Sequence, residues 1–291
     1  MITLRHLRFL VAVADELSFS RAARRCNVTQ PTLSTGLREL EDRLGVQLVE
    51  RDRRSVVMTA LGTEIAARGR KLLTGAQEIE ELAAAHLHPE EGDLRLGAIP
   101  TVGPFLLPRA LTLLRARFPA LRLFLREEMT DSLIEGVTSG RLDVALIALP
   151  YDTGGLSVHP LFEDGYHLAT PPGASAADTL EAGRLLLLER GHCLQEHALA
   201  SMPTRRLQRD ESFEATSLTT LTAMVAEGLG ATLLPDLAVR AGVAAGQPVS
   251  LTPLPEARPR EVALVWRRTS PREAAFARLG EVLCTAQDEL G

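Results

Sequence analysis

Leu4, Leu7, Phe9, Leu10, Val11 and Val13 gather on one face of a helix. Leu33, Leu37, Leu40 and Leu44, spaced i, i+4, i+7 and i+11, form the apolar stripe of another. Between them, Ser20 is expected to cap a short helix from Arg21 to Cys26, and Ala22-Ala23 would let a neighbour approach closely. Asn27-Val28 reads as a tight turn. Thr29 then caps the third helix, with Pro31 in its first turn, where a missing N–H costs nothing. Gly45 ends that helix, and residues 46–57 read as a hairpin with a basic tip.

From Thr59 to Leu87 there is no proline, and Ile65, Gly69, Leu72, Ala76, Ile79 and Ala83 recur in steps of four and three. That is a heptad seam suited to a second copy of the helix, so Ile65, Leu72 and Ile79 are the dimerisation candidates. Glu90-Glu91-Gly92-Asp93 marks a boundary. Beyond it strands and helices alternate: strands at 94–99, 121–127 and 144–148, helices at 104–118 and 131–139. A second set covers about 162–262, with strands at 166–169, 184–189, 232–234 and 249–254. A last strand, 262–266, and a helix, 272–289, return to the first lobe. This order predicts a two-lobed α/β domain over 90–291 built on parallel sheets, with lobe I at about 92–161 and 263–291, lobe II at about 162–262, and a cleft between. The head covers 1–58 and the linker helix 59–89.

Composition changes this picture in two places. The net charge of −5 hides a split: residues 1–60 carry a balance of +3, and the remainder −8. A small basic module on a larger acidic one suits a DNA-binding head whose body stays off DNA. The outer face of the third helix offers Gln30, Thr32, Ser34, Thr35 and Arg38, with Thr29 and Pro31 at its start. Such groups reach base edges in a major groove, while Arg51, Arg53 and Arg54 on the hairpin suit the phosphate backbone or the minor groove. Any three-helix bundle also has a polar solvent face, so this pattern alone leaves both readings open. Second, three cysteines in 291 residues exclude a disulfide scaffold, and no apolar run approaches the length of a membrane span. A reducing cytoplasm is the expected compartment.

Cys193 follows the apolar run Leu187-Leu188 and Gly191-His192, at the expected start of a helix. The helix N-terminus and His192 would both favour thiolate, the form that attacks peroxides. Cys26 and Cys284 lie on apolar helices and read as inert. Thr101, Thr130, Thr216 and Ser217 stand at other strand-to-helix junctions, each a helix cap and each available to a polar pocket if the junctions converge. His86 and His88 supply two nitrogens and no further ligands, so neither a metal nor a cofactor is expected.

Leu7-x-x-Leu10, Ser20-x-x-Ala23, Thr29-Gln30-Pro31-Thr32-Leu33-Ser34, Leu40-Glu41-x-x-Leu44-Gly45, Leu48-Val49-x-Arg51 and Thr59-x-x-Gly62 resemble, in order, the winged helix-turn-helix of the LysR-type transcriptional regulators. Ile99-Pro100-Thr101-Val102-Gly103-Pro104, Gly191-His192-Cys193-Leu194 and Phe213-x-Ala215-Thr216-Ser217-Leu218 are similar to the OxyR peroxide sensors within that family. The resemblance implies a winged-helix head, a linker helix and a periplasmic-binding-protein-like regulatory domain, binding promoter DNA as a homodimer or homotetramer. It implies that Cys193 is oxidised by hydrogen peroxide to a sulfenic acid, with Thr101, Thr130 and His192 holding the peroxide. It also implies a resolving cysteine nine residues later, where this chain has Met202. The residues around it, 201–209, carry a proline and three arginines and suggest an exposed loop. Two other readings remain: a regulator sensing a metabolite in the cleft, and a thiol peroxidase, which would leave the first ninety residues without a purpose.

Overall fold

The computed structural model describes residues 1–51, 56–87, 91–182, 184–189, 191–202, 207–209 and 215–290. They divide into two compact units, Met1–Ala84 and Ala85–Gly291.

The first unit is built from α1 (Leu4–Glu16), α2 (Phe19–Arg25), α3 (Gln30–Leu44), the antiparallel pair β1 (Val49–Arg51) and β2 (Val56–Met58), and most of α4 (Ala60–Leu87). Leu10, Val13, Ala22, Leu33, Leu37 and Leu40 make its core, so the predicted stripes face inward. The second helix starts two residues earlier than expected because Ser18, not Ser20, is its cap, accepting from Arg21 N. Thr29 caps α3 as predicted, and Gly45 ends it with φ +66°. Glu41 Oε1 accepts from Leu48 N and Val49 N at 2.9 and 3.1 Å, which ties α3 to the strand pair. Thr59 Oγ1 accepts from Gly62 N and so caps α4. A Cβ at Gly62 would lie 2.0 Å from the Leu48 carbonyl oxygen, which is why that turn takes glycine.

The second unit continues with β3 (Gly92–Ala98), α5 (Gly103–Arg117), β4 (Leu121–Glu127), α6 (Thr130–Thr138), β5 (Val144–Leu149), β6 (Ser157–Asp164), β7 (Tyr166–Thr170), α7 (Ala176–Ala182), β8 (Arg184–Leu185), α8 (Cys193–Ala200), β9 (Gln208–Arg209), α9 (Leu218–Ala226), β10 (Thr232–Pro235), α10 (Asp236–Arg240), β11 (Ser250–Pro253), β12 (Arg260–Trp266) and α11 (Glu273–Asp288). Its larger sheet has the order β4-β3-β5-β12-β6. The three strands from the first half are parallel, but β12 runs antiparallel to β5 and β6. The smaller sheet, β10-β7-β11, is antiparallel throughout.

Among the described residues the expectation of parallel sheets therefore holds for β3, β4 and β5 and for the short pair β8-β9, but not for β12 or the smaller sheet. Helical crossovers enforce parallel pairing there, whereas β12 returns from the second lobe with its direction reversed. The strand expected over 184–189 shrinks to two residues paired with β9, plus a single bridge from Leu188 to Ala215. Leu185–Leu188 are buried all the same, so burial rather than pairing explains the apolar run. Two apolar cores result: Leu96, Ala98, Val144–Ala148 and Leu264 in one, Leu168, Leu186–Leu188, Leu221 and Leu234 in the other.

Candidate functional site

The outer face of α3 lies where the sequence placed it. Gln30, Pro31, Thr35 and Arg38 are exposed, and Thr32 and Ser34 half-exposed. Thr29 Oγ1 accepts from Thr32 N at 3.3 Å and bonds the Thr32 hydroxyl at 2.8 Å. Ser20, freed from capping, donates to Gln30 Oε1 at 2.8 Å and so orients the first side chain of the helix. Arg51 ends β1, while Arg53 and Arg54 lie outside the described residues, as does His88. On α4, Ile65 packs against the core of the head and Gly69 faces Leu7 and Val11 of α1. Leu72 and Ile79 are 61 and 70 % exposed. The seam is thus divided: its first turns serve the head, and the later ones remain open.

Gly191, at φ +103°, turns the chain into α8, whose first residue is Cys193. Cys193 is buried, and so are His192, Thr101 and Thr130. No side chain caps α8 or α6. Among the described residues, Thr130 Oγ1 and His192 Nε2 are buried with no hydrogen-bond partner. Buried polar atoms left without a partner are costly, about 1–3 kcal/mol each, unless a ligand satisfies them. Thr101 Oγ1, by contrast, accepts from Arg260 Nη1 at 2.9 Å and keeps its own proton to donate. Thr216 is exposed, and Ser217 Oγ accepts from Thr220 N as the cap of α9.

Arg260 is the residue the sequence reading missed. It heads β12, is 1 % exposed, and donates from Nε and Nη2 to Asp164 Oδ2 at 3.0 and 2.8 Å. Nη2 also donates to the Thr101 carbonyl at 3.1 Å. Burial opposes its charge, but Asp164, then Tyr166 and Cys193, more than restore it. The only sequence signal was an arginine at the head of an apolar strand, and that usually marks a strand end. Around the same cluster, His197 Nε2 bonds the Pro150 carbonyl at 3.0 Å, and the Tyr151 hydroxyl donates to Asp131.

Burial pushes the His192 imidazole below the usual histidine range, with Glu189 opposing, which disfavours a positive charge on it. Arg260 carries a buried positive charge bonded to Asp164 and Thr101. Burial pushes the Cys26 and Cys284 thiols up, in keeping with inert residues. Ser201 and Met202 are buried, Met202 within the second core, and Gln208–Arg209 form β9, against the expectation of an exposed loop at those positions; residues 203–206, on which that expectation also falls, lie outside the described residues.

Comparison with known proteins gives matches over nearly the whole chain. Residues 4–63 match the bacterial regulatory helix-turn-helix protein family of lysR type, and 88–287 the LysR substrate binding domain. The HTH-type transcriptional regulator EstR of Acinetobacter baylyi is 38% identical, over 97% of this chain and 96% of its own. The transcriptional dual regulator OxyR of Escherichia coli is also 38% identical, over 99% and 96%. Among solved structures, a full-length OxyR variant from Pseudomonas aeruginosa superposes with a TM-score of 0.78 at 34% identity, covering 97% of this chain and 95% of that one. A hydrogen-peroxide-bound OxyR variant from Corynebacterium glutamicum gives 0.64 at 30% identity, over 99% and 95%.

Proposed function

The chain belongs to the LysR family of DNA-binding transcriptional regulators, and from that footing we propose that it senses hydrogen peroxide through Cys193 and reports it on promoter DNA. The observations that carry the proposal are a buried thiol at a helix start directly after His192, and two buried polar atoms without a partner, Thr130 Oγ1 and His192 Nε2. Equal identity to EstR and to OxyR does not choose a ligand. Peroxide, small and rich in both donors and acceptors, matches those two atoms and the Thr101 hydroxyl.

In the proposed step the Cys193 thiolate attacks one peroxide oxygen, the O–O bond breaks, and the distal oxygen leaves as hydroxide, which Thr101, Thr130 and His192 hydrogen-bond as it departs. The product is a sulfenic acid. Met202, packed in the second core, offers no thiol to resolve it, so the oxidised state is the sulfenic acid itself or a mixed disulfide with a small thiol or a second chain, formed with loss of water. Thr29, Gln30, Pro31, Thr32, Ser34, Thr35 and Arg38 read the major groove, with Arg51, Arg53 and Arg54 on the flanking backbone. Leu72 and Ile79 pair α4 with its copy in a homodimer, and dimers associate as a tetramer in a reducing cytoplasm.

The test is stoichiometric peroxide on the reduced full-length chain, sulfenic acid trapping with peptide mass spectrometry, and operator footprints of wild type and Cys193→Ser. The expected result is modification at Cys193 and a footprint change that the serine variant lacks. An unmodified Cys193, or the same footprint change in the variant, overturns the proposal.

A further inference from the structure

Ser20, at the second position of α2, donates its hydroxyl proton to Oε1 of Gln30, the first residue of α3, at 2.8 Å. Both side chains are exposed, and the hydroxyl is free for this contact because Ser18 caps α2 in its place. The frame beneath fixes the two helix starts against each other. Ala22 and Ala23 of α2 share a buried core with Leu33 and Leu37 of α3. The turn between the helices is closed by Asn27 N on the Arg24 carbonyl at 3.1 Å and by Val28 N on the Ala23 carbonyl at 3.0 Å. Asn27 stands there at φ +54°, a left-handed conformation that asparagine tolerates. Arg21, the next side chain of α2, is bonded to Glu16 and does not compete for the amide.

A glutamine amide carries its acceptor on one edge and its two donors on the other. With Oε1 engaged by Ser20, the edge of Gln30 left for a partner is the one that donates. In a major groove an unrestrained glutamine pairs with adenine, accepting from N6 and donating to N7. Guanine shows two acceptors instead, N7 and O6, and thymine shows the acceptor O4. We propose that Ser20 is a positioning residue for base readout: by engaging Oε1 it presents Gln30 to DNA as a donor, so that the first side chain of α3 selects guanine or thymine over adenine. This rests on the reading of α3 as the helix that enters the major groove, and adds which base edge its first residue takes. Between two exposed groups in water such a bond contributes little. It acts once the groove excludes water, because an amide held in one orientation before DNA arrives loses less rotamer freedom on binding, and presents its donors to a base without a search.

The experiment is selection of a randomised duplex DNA library by the reduced full-length chain, with the bound duplexes sequenced, for wild type, Gln30→Ala, Ser20→Ala and Ser20→Thr. Gln30→Ala marks the base position that Gln30 reads, as the one whose preference it relaxes. Wild type should favour guanine or thymine there. Ser20→Ala frees Oε1 for the adenine pairing, so at that position alone the share of adenine relative to guanine and thymine should rise about fivefold, the worth of one hydrogen bond. Ser20→Thr keeps the hydroxyl and should restore the wild-type preference. A merely structural Ser20 would weaken binding to all sequences alike and leave the preference at that position unchanged, which overturns the proposal. A wild-type preference for adenine at that position overturns it too, as does a Ser20→Thr pattern that matches Ser20→Ala. If Gln30→Ala relaxes no position, the start of α3 reads no base, and the groove contact assigned to Gln30 falls together with the role of Ser20. A failure at Ser20 alone leaves that contact standing, and neither result bears on peroxide sensing.

Discussion

Two helix starts in this chain are built to opposite rules. At the head of α3, Thr29 caps Thr32 N, Pro31 occupies the first turn, and the polar groups that follow are exposed or half-exposed. At the head of α8 no side chain caps the helix, and the first polar groups, His192 and Cys193, are buried. The first arrangement satisfies its backbone and lends its side chains to an outside partner. The second leaves polar atoms unsatisfied inside the protein, which costs stability that only a ligand entering the cluster can return. One start is a satisfied, outward-facing platform, and the other holds buried polar groups that a reactive pocket of the proposed kind would need.

The largest effect separating them is expected at Arg260. Arg260→Ala strands the Asp164 carboxylate in the interior, and breaking a buried pair of this kind costs about 3–5 kcal/mol. Urea unfolding of the regulatory unit should show that loss. A loss below about 1 kcal/mol, the size of a surface pair, would mean that water reaches the pair and that the α8 cluster is not dry.

Smaller and opposite in sign are two threonines at helix starts. Thr29→Ala removes a working cap and should destabilise the head by about 1 kcal/mol. Thr130→Val replaces a buried hydroxyl without a partner by a methyl of similar shape, and should be neutral or stabilising by about 1 kcal/mol. The same valine should slow sulfenic acid formation at Cys193, because one hydrogen bond to the departing oxygen is gone. Equal destabilisation by both substitutions would erase the distinction between the two helix starts.

This contrast also explains what was legible in the sequence. Caps and stripes are local: Thr29, Gly45 and the leucines of α3 declare themselves because each acts within a few residues of its own position. Cys193 was legible for the same reason, from its place after Gly191-His192. Ser20 was misread because Ser18 and Ser20 are both plausible caps, and the choice depends on which one faces Gln30 across the turn. Arg260 and Asp164 were illegible because their meaning lies in a contact across 96 residues of chain, and neither has a periodic neighbour to announce it. The direction of β12 was hidden by the same cause: an apolar strand reads alike whichever way it runs.

The smallest expected effect is a pH dependence confined to the α8 side. Burial holds His192 and His197 below the usual histidine range, while in the unfolded chain both titrate near about 6.5. Below that value the unfolded state binds protons that the folded state refuses, so stability falls as pH drops from about 6.5 towards the folded values and is level above it. The measurement is the urea midpoint of the regulatory unit's transition between pH 5 and 8. His192→Asn should flatten part of the slope and His197→Asn a further part, His197 retaining less because its bond to the Pro150 carbonyl favours the protonated ring and partly offsets burial. A slope that survives both substitutions would show that water reaches these imidazoles, and with it that the α8 start is no drier than that of α3.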